Sequence, residues 1–483
     1  MARTDSNSVL GGMIWKTLEQ YCVLGIQFIL QIVLARLIMP ESYGVIAIAS
    51  VFITISAVFI HNSFSIALIR NKEIDEEAIS SIFIFSIIIA AVLYVIIFIS
   101  APYVSSFFNM PDLSKLLRIM TIGLFPSAYN SIQTALLRRR MSFKPLFFSS
   151  IIAVSISGII AIVMAINGYG VWALATQYLV QVFVTILILF IWEKWIPSLR
   201  FNFSRIKDSL SFGWKILVTS LVDESFAELR VILIGKFYSS ADLSFYNRGK
   251  QFPFIITKAI NGSMQSVLLP VMSKKQDNNE QLRTVLHNSI SLSAFVMFPL
   301  LIGLACVSED LVSVLLTDKW LPCVPFLQLH CAFYIIWPIV TSGTQALWAI
   351  GRSGSVMYAE TTRKIIDLVV LILSLKYGVL WIAIGSVMVS VFSVPLYMIP
   401  CKKYLGYSAR NLVGAISAPL IGSIIMAICI IGVKFLSLPI FAELLIQIVI
   451  GVFSYFLLAK IFKMPHLNML FSFLMPIVKR NRR

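Results

Sequence analysis

Residues 79–101 read ISSIFIFSIIIAAVLYVIIFISA, an apolar run without a single charged side chain. A membrane-spanning helix needs about 20 predominantly apolar residues, so this stretch alone predicts a transmembrane helix. The whole chain has the same character: of its 483 residues 59% are hydrophobic and 13% are charged, and the mean hydropathy is +0.90. A soluble domain has roughly 25% charged residues. The composition therefore excludes a soluble globular enzyme, a disordered chain and a nucleic-acid-binding module.

Further segments of the chain are long and apolar enough to be read as membrane spans. Their ends are marked by Pro, Gly and charged residues, as at Met39-Pro40-Glu41. The sequence predicts fourteen spans, over residues 14–38, 44–69, 79–101, 116–137, 145–167, 169–192, 209–234, 251–272, 286–307, 326–349, 355–375, 378–400, 411–433 and 441–462.

The distribution of basic residues predicts the orientation of the chain. The 39 Lys and Arg residues outnumber the 22 Asp and Glu residues, which gives a net charge of +17. In a membrane protein this excess indicates topology, because cytoplasmic loops collect Lys and Arg. With the N-terminus placed inside, the inner segments hold roughly three times as many basic residues as the outer ones. The even number of spans then places both termini in the cytoplasm, and no nucleic acid partner is expected.

Short sequence matches recur at offsets near 200–212 residues along the chain. They fall in the same order within two sets of six predicted spans, which indicates an internal repeat. Because six is an even number, both copies have the same orientation in the membrane, as in a parallel repeat. The clearest matches are Tyr-Gly-Val at 169–171 and 377–379, and Pro126 and Gln133 with Pro338 and Gln345.

The repeat predicts an all-α integral membrane protein with about 14 transmembrane helices. Two six-helix lobes are expected around a central cleft, with two further helices at the C-terminal end. The basic end of the chain is typical of an interfacial helix held to anionic lipid. The predicted boundaries are 1–192 for the N-terminal lobe, 193–208 for a cytoplasmic linker, 209–405 for the C-terminal lobe, 406–465 for helices 13 and 14, and 466–483 for a basic cytoplasmic tail.

Polar side chains form stripes on several predicted spans, which is informative because a lipid-facing helix has no use for them. At about 100° per residue, the stripes recur in spans 1 and 7 and in spans 4 and 10, and we expect them to line the cleft. For any single Gln or Asn, hydrogen bonding to a neighbouring helix is the competing explanation. Asp223 could likewise simply neutralise Arg230.

Sequence motifs for enzymatic chemistry are absent. There is no GxxxxGK[ST], HExxH or GxSxG sequence, so neither catalysis nor a cofactor is expected. None of the six cysteines sits in a CxxC pair, and we expect them to pack as small apolar side chains. The predicted outside loops are short, which weakens the case for an enzyme that polymerises or ligates glycans. A secondary transporter or a flippase remains.

Four short stretches allow a family to be suggested. They are LARLIMPESYG at 34–44, NGYGVW at 167–172, FYNRGK at 245–250 and LPVMS at 269–273. With these motifs the chain resembles the polysaccharide-transporter branch of the multidrug/oligosaccharidyl-lipid/polysaccharide (MOP) exporter superfamily. The nearest likeness is to bacterial flippases for colanic-acid-type and teichuronic-acid-type repeat units, and it runs along nearly the whole chain.

The resemblance implies a flippase for surface polysaccharide biosynthesis. Its substrate would be an oligosaccharide repeat unit linked to undecaprenyl pyrophosphate, moved from the cytoplasmic to the outer leaflet by alternating access. The location implied is the bacterial cytoplasmic membrane. Membrane lipid and other polysaccharide-assembly proteins are the further partners to expect. The family's cavity is typically cationic, and the acidic residues of span 7 depart from that pattern.

The stripes and the resemblance together give a site hypothesis, in which cations and amides replace the hydration of a charged, sugar-bearing head. The anionic head is expected to be bound by Arg230, Lys215 and Lys258, and attracted at the outer face by Arg36 and Lys236. The candidates for contacts with sugar hydroxyls are Gln27, Gln31, Asn130, Gln133, Asn261, Gln265 and Gln345. The candidates for coupling to an ion are Asp223, Glu224, Glu228 and Asp367.

Three other functions stay open at this point. The first is a multidrug-type, cation-coupled antiporter of the same superfamily, which the acidic residues of span 7 would suit. The second is a translocase for the peptidoglycan precursor. The third is a membrane enzyme acting on glycans, in which residues of the outside loops would matter more than those of the cleft.

Overall fold

The structure, a computed structural model, describes residues 6–61, 75–198, 200–436, 438–464 and 467. These residues form α-helices joined by turns and short 3-10 segments, and no β-strand occurs among them. The prediction of an all-α membrane protein is therefore confirmed. The basic tail predicted over 466–483 lies outside the described residues, apart from Leu467.

By packing, the chain divides into two compact units, Met1–Ser244 and Phe245–Arg483. The first unit contains α1 (Ser6–Leu37), α2 (Pro40–His61), α3 (Glu76–Phe108), α4 (Leu113–Met120), α5 (Leu124–Arg139), α6 (Lys144–Ile166), α7 (Val171–Glu193) and α8 (Phe203–Phe237). Helix α9 (Ser240–Ser273) begins in the first unit and continues in the second. The second unit then contains α10 (Asn279–Cys306), α11 (Ser308–Leu316), α12 (Val324–Tyr334), α13 (Trp337–Ala349), α14 (Ser353–Ser374), α15 (Val379–Leu405), α16 (Ala409–Val433) and α17 (Ile440–Ile461).

Each of the fourteen predicted spans corresponds to a helical segment, although residues 62–69 of the second lie outside the described residues, and the spans are not equally apolar. Within the described residues, 10 segments are long and apolar enough to cross a membrane. The other four predicted spans are numbers 4, 7, 8 and 11, formed by α4–α5, α8, α9 and α14. These are the helices on which the polar stripes are densest. Their lower hydropathy is therefore due to the same polar residues that made them candidates for a site.

The fourth span of each predicted repeat copy is interrupted near its middle. In the first unit a 3-10 segment, Thr121–Gly123, separates α4 from α5. In the second unit the turn at residues 335–336 separates α12 from α13. Pro126 and Pro338 follow these interruptions. Proline has no amide hydrogen and so cannot donate to the carbonyl four residues earlier in an α-helix. Each interruption therefore lies just before a proline, where one helical hydrogen bond is missing.

Helix α8 packs against helices α2 and α3 within the first unit. The approach is close at the C-terminal end of α8, where a Cβ added to Gly235 would lie 2.3 Å from Ile48 Cδ1. A Cβ added to Gly44 would lie 1.9 Å from the carbonyl oxygen of Ser240. Packing thus joins α8 to the first unit, whereas the repeat assigns it to the second lobe. The lobe boundaries at 192 and 209 stay a prediction about the repeat.

The segment between α7 and α8, which the sequence predicts as a cytoplasmic linker, is held against the start of α3. The backbone N–H of Ser198 donates to Ser80 Oγ (3.0 Å), and that of Asn202 donates to Ser81 Oγ (2.9 Å). The Trp195 ring lies 5.7 Å from the Phe83 ring. The linker therefore adds to the packing of the first unit.

The last two helices, α16 and α17, pack within the second unit. Gln447 of α17 is fully buried, and its Nε2 donates to Asp310 Oδ2 (2.9 Å) at the start of α11. The hydroxyl of Tyr455 donates to the carbonyl oxygen of Phe295 in α10 (2.8 Å). A buried carboxylate is costly without a donor, so the polar residues of α17 have a structural role in attaching it.

Candidate functional site

Helices α9 and α12–α13 of the second unit run side by side in the same direction. A glycine permits the close approach, because a Cβ added to Gly249 would lie 2.6 Å from Phe326 Cβ. The polar stripes predicted on spans 8 and 10 therefore face each other. The side chains meet at three levels, with Tyr246 and His330 rings 5.0 Å apart, Phe254 and Tyr334 rings 6.1 Å apart, and Asn261 Nδ2 donating to Thr341 Oγ1 at 3.1 Å.

A buried guanidinium lies near the start of this helix pair. Arg248 is only 6% exposed; its Nη1 donates to Gln251 Oε1 (2.7 Å), and its guanidinium carbon lies 4.7 Å from the centre of the Trp320 ring. A buried cation needs such acceptors and ring faces to replace water. Arg248 belongs to the FYNRGK motif at 245–250 and is not among the residues predicted for the site.

Lys258 lies further along α9 and is exposed. Its ammonium is 5.6 Å from the centre of the Phe254 ring, and no acidic side chain within the described residues forms an ion pair with it. An unpaired cation within a predicted span is costly and is a default candidate for function. Lys258 thus lies beside Phe254 of its own helix, and the Phe254 ring in turn contacts Tyr334 of α12.

The amides predicted for this unit have different environments. Asn261 is buried and bonds to Thr341, so it joins two helices, which was the competing explanation for every amide of the stripes. Gln345 is also buried, and its Oε1 has no hydrogen-bond partner within the described residues. Gln265 is exposed. The contact of Asn261 is thus structural, while Gln345 keeps an acceptor free.

The amides of the first unit lie on α1 and α5. Gln27 and Gln31 are partly buried on α1. On α5, Thr134 Oγ1 donates to Asn130 Oδ1 at 3.3 Å. Gln133 is 0% exposed, and neither its amide nitrogen nor its oxygen has a hydrogen-bond partner within the described residues. Gln133 and Gln345, the repeat-related pair, therefore share an unusual feature, a buried amide with unused hydrogen-bonding capacity.

Helix α8 carries six of the charged candidates, five of them before its last turn. Lys215 and Asp223 are exposed, whereas Glu224, Glu228 and Arg230 are partly buried. Asp223 and Arg230 are seven residues apart and so share one face, while Glu224 and Glu228 share another. The helix therefore presents charges of both signs, as the sequence pattern predicts.

The two cations predicted to attract substrate at the outer face differ in their contacts. Lys236 Nζ donates to the carbonyl oxygen of Phe107 (2.7 Å) and lies 4.0 Å from the centre of the Phe107 ring. Lys236 thus attaches the end of α8 to the end of α3 in this conformation. Arg36 is exposed near the end of α1.

Asp367 lies in a charged stretch of α14 and is buried. One to two turns earlier, Arg363 donates to Glu360 Oε2 (2.9 Å) and the Tyr397 hydroxyl of α15 donates to Glu360 Oε1 (2.6 Å). This network joins α14 to α15. The spacing of Glu360, Arg363 and Asp367 puts them on one face of the predicted span 11, but the sequence does not identify Tyr397, which lies on the next helix.

Trp337 was also missed. It lies at the first position of α13, directly after the interruption, and its ring is stacked on that of Tyr334 with centroids 5.2 Å apart. The signal was present in the sequence, because Trp337 is three residues from Tyr334 and four from Thr341 and so falls on the same helix face. The stripe was defined by polar residues alone, so an aromatic residue on the same face was not selected.

The architecture is that of a known class of membrane transporters. It matches the inward closed conformation of the Lipid II flippase MurJ with a TM-score of 0.74, covering 93% of this chain and 98% of that chain at 16% identity. An inward-facing multidrug resistance MATE family transporter of the MOP superfamily matches with a TM-score of 0.59, covering 81% and 99% at 17% identity. At these identities the likeness concerns the fold alone, and the chain has the fold of MOP-superfamily transporters.

Sequence comparison identifies the family within that class. The profile of a family described as polysaccharide biosynthesis protein matches residues 33–325, more than half of the chain. The chain belongs to this family, which confirms the predicted resemblance.

Three characterised relatives are similar over most of their length. The teichuronic acid biosynthesis protein TuaB of Bacillus subtilis (strain 168) is 25% identical over 362 residues, 74% of each chain. The succinoglycan biosynthesis transport protein ExoT of Rhizobium meliloti (strain 1021) is 22% identical over 75% of this chain and 76% of its own. The lipopolysaccharide biosynthesis protein WzxC of Escherichia coli (strain K12) is 21% identical over 85% and 84%.

Proposed function

We propose that this protein moves a lipid-linked oligosaccharide repeat unit from the cytoplasmic to the outer leaflet of the bacterial cytoplasmic membrane for surface polysaccharide biosynthesis. The carrier is undecaprenyl pyrophosphate, and both termini of the protein lie in the cytoplasm. The observation that carries the proposal is the conjunction of the fold of a lipid flippase with similarity to a succinoglycan transport protein and to proteins of teichuronic acid and lipopolysaccharide biosynthesis.

The physical need for such a protein lies in the head of the substrate. A pyrophosphate and several sugars have to cross a hydrocarbon layer about 30 Å thick, where unpaired charges and unsatisfied hydroxyls are costly. We assign binding of the pyrophosphate to Lys258, with Lys215 and Arg230 of α8. Buried amides with free acceptors or donors, such as Gln133 and Gln345, are assigned to sugar hydroxyls. The lipid tail stays in the bilayer.

Transport requires that this polar surface be open to one side of the membrane at a time, as in other secondary transporters. We propose that the predicted outer ends of α2 and α8 separate in the outward-open state and touch in the inward-open one. The close approaches of Gly44 to Ser240 and of Gly235 to Ile48 support this assignment, because they are contacts that small residues alone allow. The lobes predicted over 1–192 and 209–405 would be the moving bodies.

A deletion strain tests the function directly. Its lipids are extracted, and the side of the membrane on which undecaprenyl-linked oligosaccharide is accessible is measured. We expect complete repeat units to accumulate on the cytoplasmic face while surface polysaccharide is lost, and the mass of the accumulated lipid identifies the cargo.

The same strain distinguishes the rival function. If no lipid-linked sugar accumulates in a strain without a redundant flippase, and the strain becomes sensitive to cationic drugs, the flippase proposal is wrong. The acidic residues Asp223, Glu224, Glu228 and Asp367 would then be assigned to a cation-coupled multidrug antiporter. If the flippase proposal holds, they are the first candidates for ion coupling.

A further inference from the structure

Four side chains of the second unit form a continuous series across α9, α12 and α13. The Lys258 ammonium lies 5.6 Å from the Phe254 ring, Phe254 lies 6.1 Å from the Tyr334 ring, and Tyr334 lies 5.2 Å from the Trp337 ring. The series begins with an exposed cation and ends with a partly exposed indole. Of its two middle rings, Tyr334 is held by packing, being only 2% exposed, and Phe254 is partly buried.

The Trp337 indole at the end of the series makes few contacts within the described residues. The Trp337 and Tyr334 rings are nearly parallel, with an interplanar angle of 13°, and within the described residues this is the one ring contact that Trp337 makes. No residue in that part of the chain accepts a hydrogen bond from its indole N–H. A buried or interfacial Trp usually finds an acceptor for this group. The pair therefore presents a rigid apolar surface beside an unused donor.

The position of Trp337 also points to a ligand. It directly follows the turn at 335–336, in the middle of a segment, Asp318–Ala349, that is long and apolar enough to cross a membrane. The backbone at 335–336 keeps right-handed helical dihedral angles, so the feature that points to a ligand is the polar indole N–H in the middle of a membrane-spanning segment. Lys258 lies at the same level of α9, because residues of α9 pair with residues eighty positions later, as Asn261 does with Thr341.

We propose that Trp337, stacked on Tyr334, is the platform on which the sugar attached directly to the pyrophosphate packs. Lys258 binds the phosphate at the other end of the series. The faces of a sugar ring are made largely of C–H groups, and their partial positive charge is attracted by the negative face of an aromatic ring. The indole N–H then donates to a sugar hydroxyl. This inference rests on the proposed function and names the part of the substrate that the second unit recognises.

The series also sets what is recognised. When Lys258 binds the phosphate, the sugar attached directly to it is the first that the series can contact, and sugars further along the repeat unit come after it. Recognition would thus depend on the presence of the first sugar ring more than on the rest of the repeat unit. A carrier lipid without a sugar would bind less tightly, and the protein would thereby distinguish it from the substrate.

The test measures binding of two lipids to the purified full-length protein in nanodiscs. The probes are undecaprenyl pyrophosphate and the same lipid carrying one hexose, and the quantity of interest is the ratio of their dissociation constants. In the unaltered protein we expect the hexose to tighten binding about threefold to tenfold, the size of a ring contact. Trp337→Leu should abolish that gain and leave binding of undecaprenyl pyrophosphate unchanged, whereas Trp337→Phe should retain part of it. Lys258→Met should weaken binding of both lipids.

Trp381→Leu is the matched control. Trp381 is 52% exposed, and its ring lies 6.2 Å from that of Tyr377 in the turn before its helix, but within the described residues no cation contacts this pair of rings. It should keep the full hexose gain. If Trp337→Leu also keeps it, or if the unaltered protein gains nothing from the hexose, the platform is wrong while the flippase proposal stands. If neither lipid binds to the unaltered protein, the proposed function is wrong and the platform with it.

Discussion

The two interrupted spans have the same design and different chemistry. In the first unit the hydroxyls near the interruption are used locally, since Thr121 Oγ1 donates to the carbonyl oxygen of Leu117 (2.5 Å) and Ser127 Oγ donates to that of Gly123 (2.7 Å). In the second unit the interruption is flanked by Tyr334 and Trp337, whose rings stack. In the first arrangement both hydroxyls bond to carbonyls of their own helical segment. The second leaves an aromatic surface beside it.

Helices α2 and α9, which occupy corresponding positions in the two copies, also differ in their charged residues. Helix α2 carries a single acidic or basic residue apart from its terminal histidine, Glu41. Helix α9, its counterpart in the second copy, carries Arg248, which lies beside Trp320, and Lys258, which lies beside Phe254. The repeat therefore preserves the helices and their interruptions while the cations are concentrated in one copy. A duplicated scaffold with unequal chemistry fits a substrate that has one charged head.

The largest effect should come from removing the unpaired cation of α9. Lys258→Met deletes a charge that we assign to the pyrophosphate, and loss of such a contact costs about 2 kcal/mol or more. Export of surface polysaccharide should fall roughly thirtyfold or more, and Lys258→Arg should preserve most of it. The measurement is polysaccharide per cell at matched amounts of membrane-inserted protein.

Lys376→Met provides the control for charge alone, because Lys376 is exposed in the turn between α14 and α15. It should export normally. Normal export by Lys258→Met would remove this residue from substrate binding and would make the difference between α2 and α9 irrelevant to function.

A second effect should arise at the closest backbone contact of the first unit. Gly44→Ala places a Cβ 1.9 Å from the carbonyl oxygen of Ser240, so the end of α2 must move away from α9. Overpacking of this kind costs about 1–3 kcal/mol, and if the contact closes the outer side, export should fall about tenfold. Gly432→Ala is the matched control, because nothing lies within 4 Å of a Cβ added there. Equal export by the two variants would show that closure does not depend on this contact.

A third effect should appear in stability while export is retained. Gln447→Leu removes the donor to the buried carboxylate of Asp310, which should cost about 1–3 kcal/mol and lower the thermal unfolding temperature of the purified protein. Replacing Gln447 and Asp310 together with Leu should recover most of the loss, because the buried carboxylate is then gone and the remaining partner of Gln447, Glu443, is only partly buried. A strong export defect at normal protein levels would mean that α17 takes part in transport.

The fold was predictable to the extent that it depends on length and periodicity. The apolar runs, the proline positions and the offset near 208 residues led to the helices and to the repeat. The assignment of α8 by packing was not predictable, since it depends on Gly44 and Gly235 meeting residues far away in sequence. Helix boundaries also extended beyond the apolar runs where polar residues continue the helix, as in α3, which reaches Phe108.

The site was predictable only by residue type. The stripe rule selected Asn261, which proved to bond to Thr341, and it could not separate that structural amide from Gln345, whose oxygen has no partner. It also omitted Trp337, because the search was for polar side chains and a sugar can be bound by an apolar ring. Whether a polar residue is used within the protein depends on its tertiary neighbours, which periodicity alone does not specify.

The smallest effect, and the one that sharpens the comparison most, concerns the repeat-related amides. Gln133 is fully buried without a hydrogen bond within the described residues, and an unsatisfied buried amide costs about 1–3 kcal/mol. Gln133→Leu should therefore leave the thermal unfolding temperature unchanged or raise it. If the amide binds sugar hydroxyls in the transport cycle, the same variant should reduce export roughly threefold, the loss of about one neutral hydrogen bond. If the sugars extend along both copies, Gln345→Leu should also reduce export roughly threefold. A fall in export for Gln345→Leu alone would assign sugar binding, like the cations, to the second unit, and unchanged export for both would leave these amides without a part in binding.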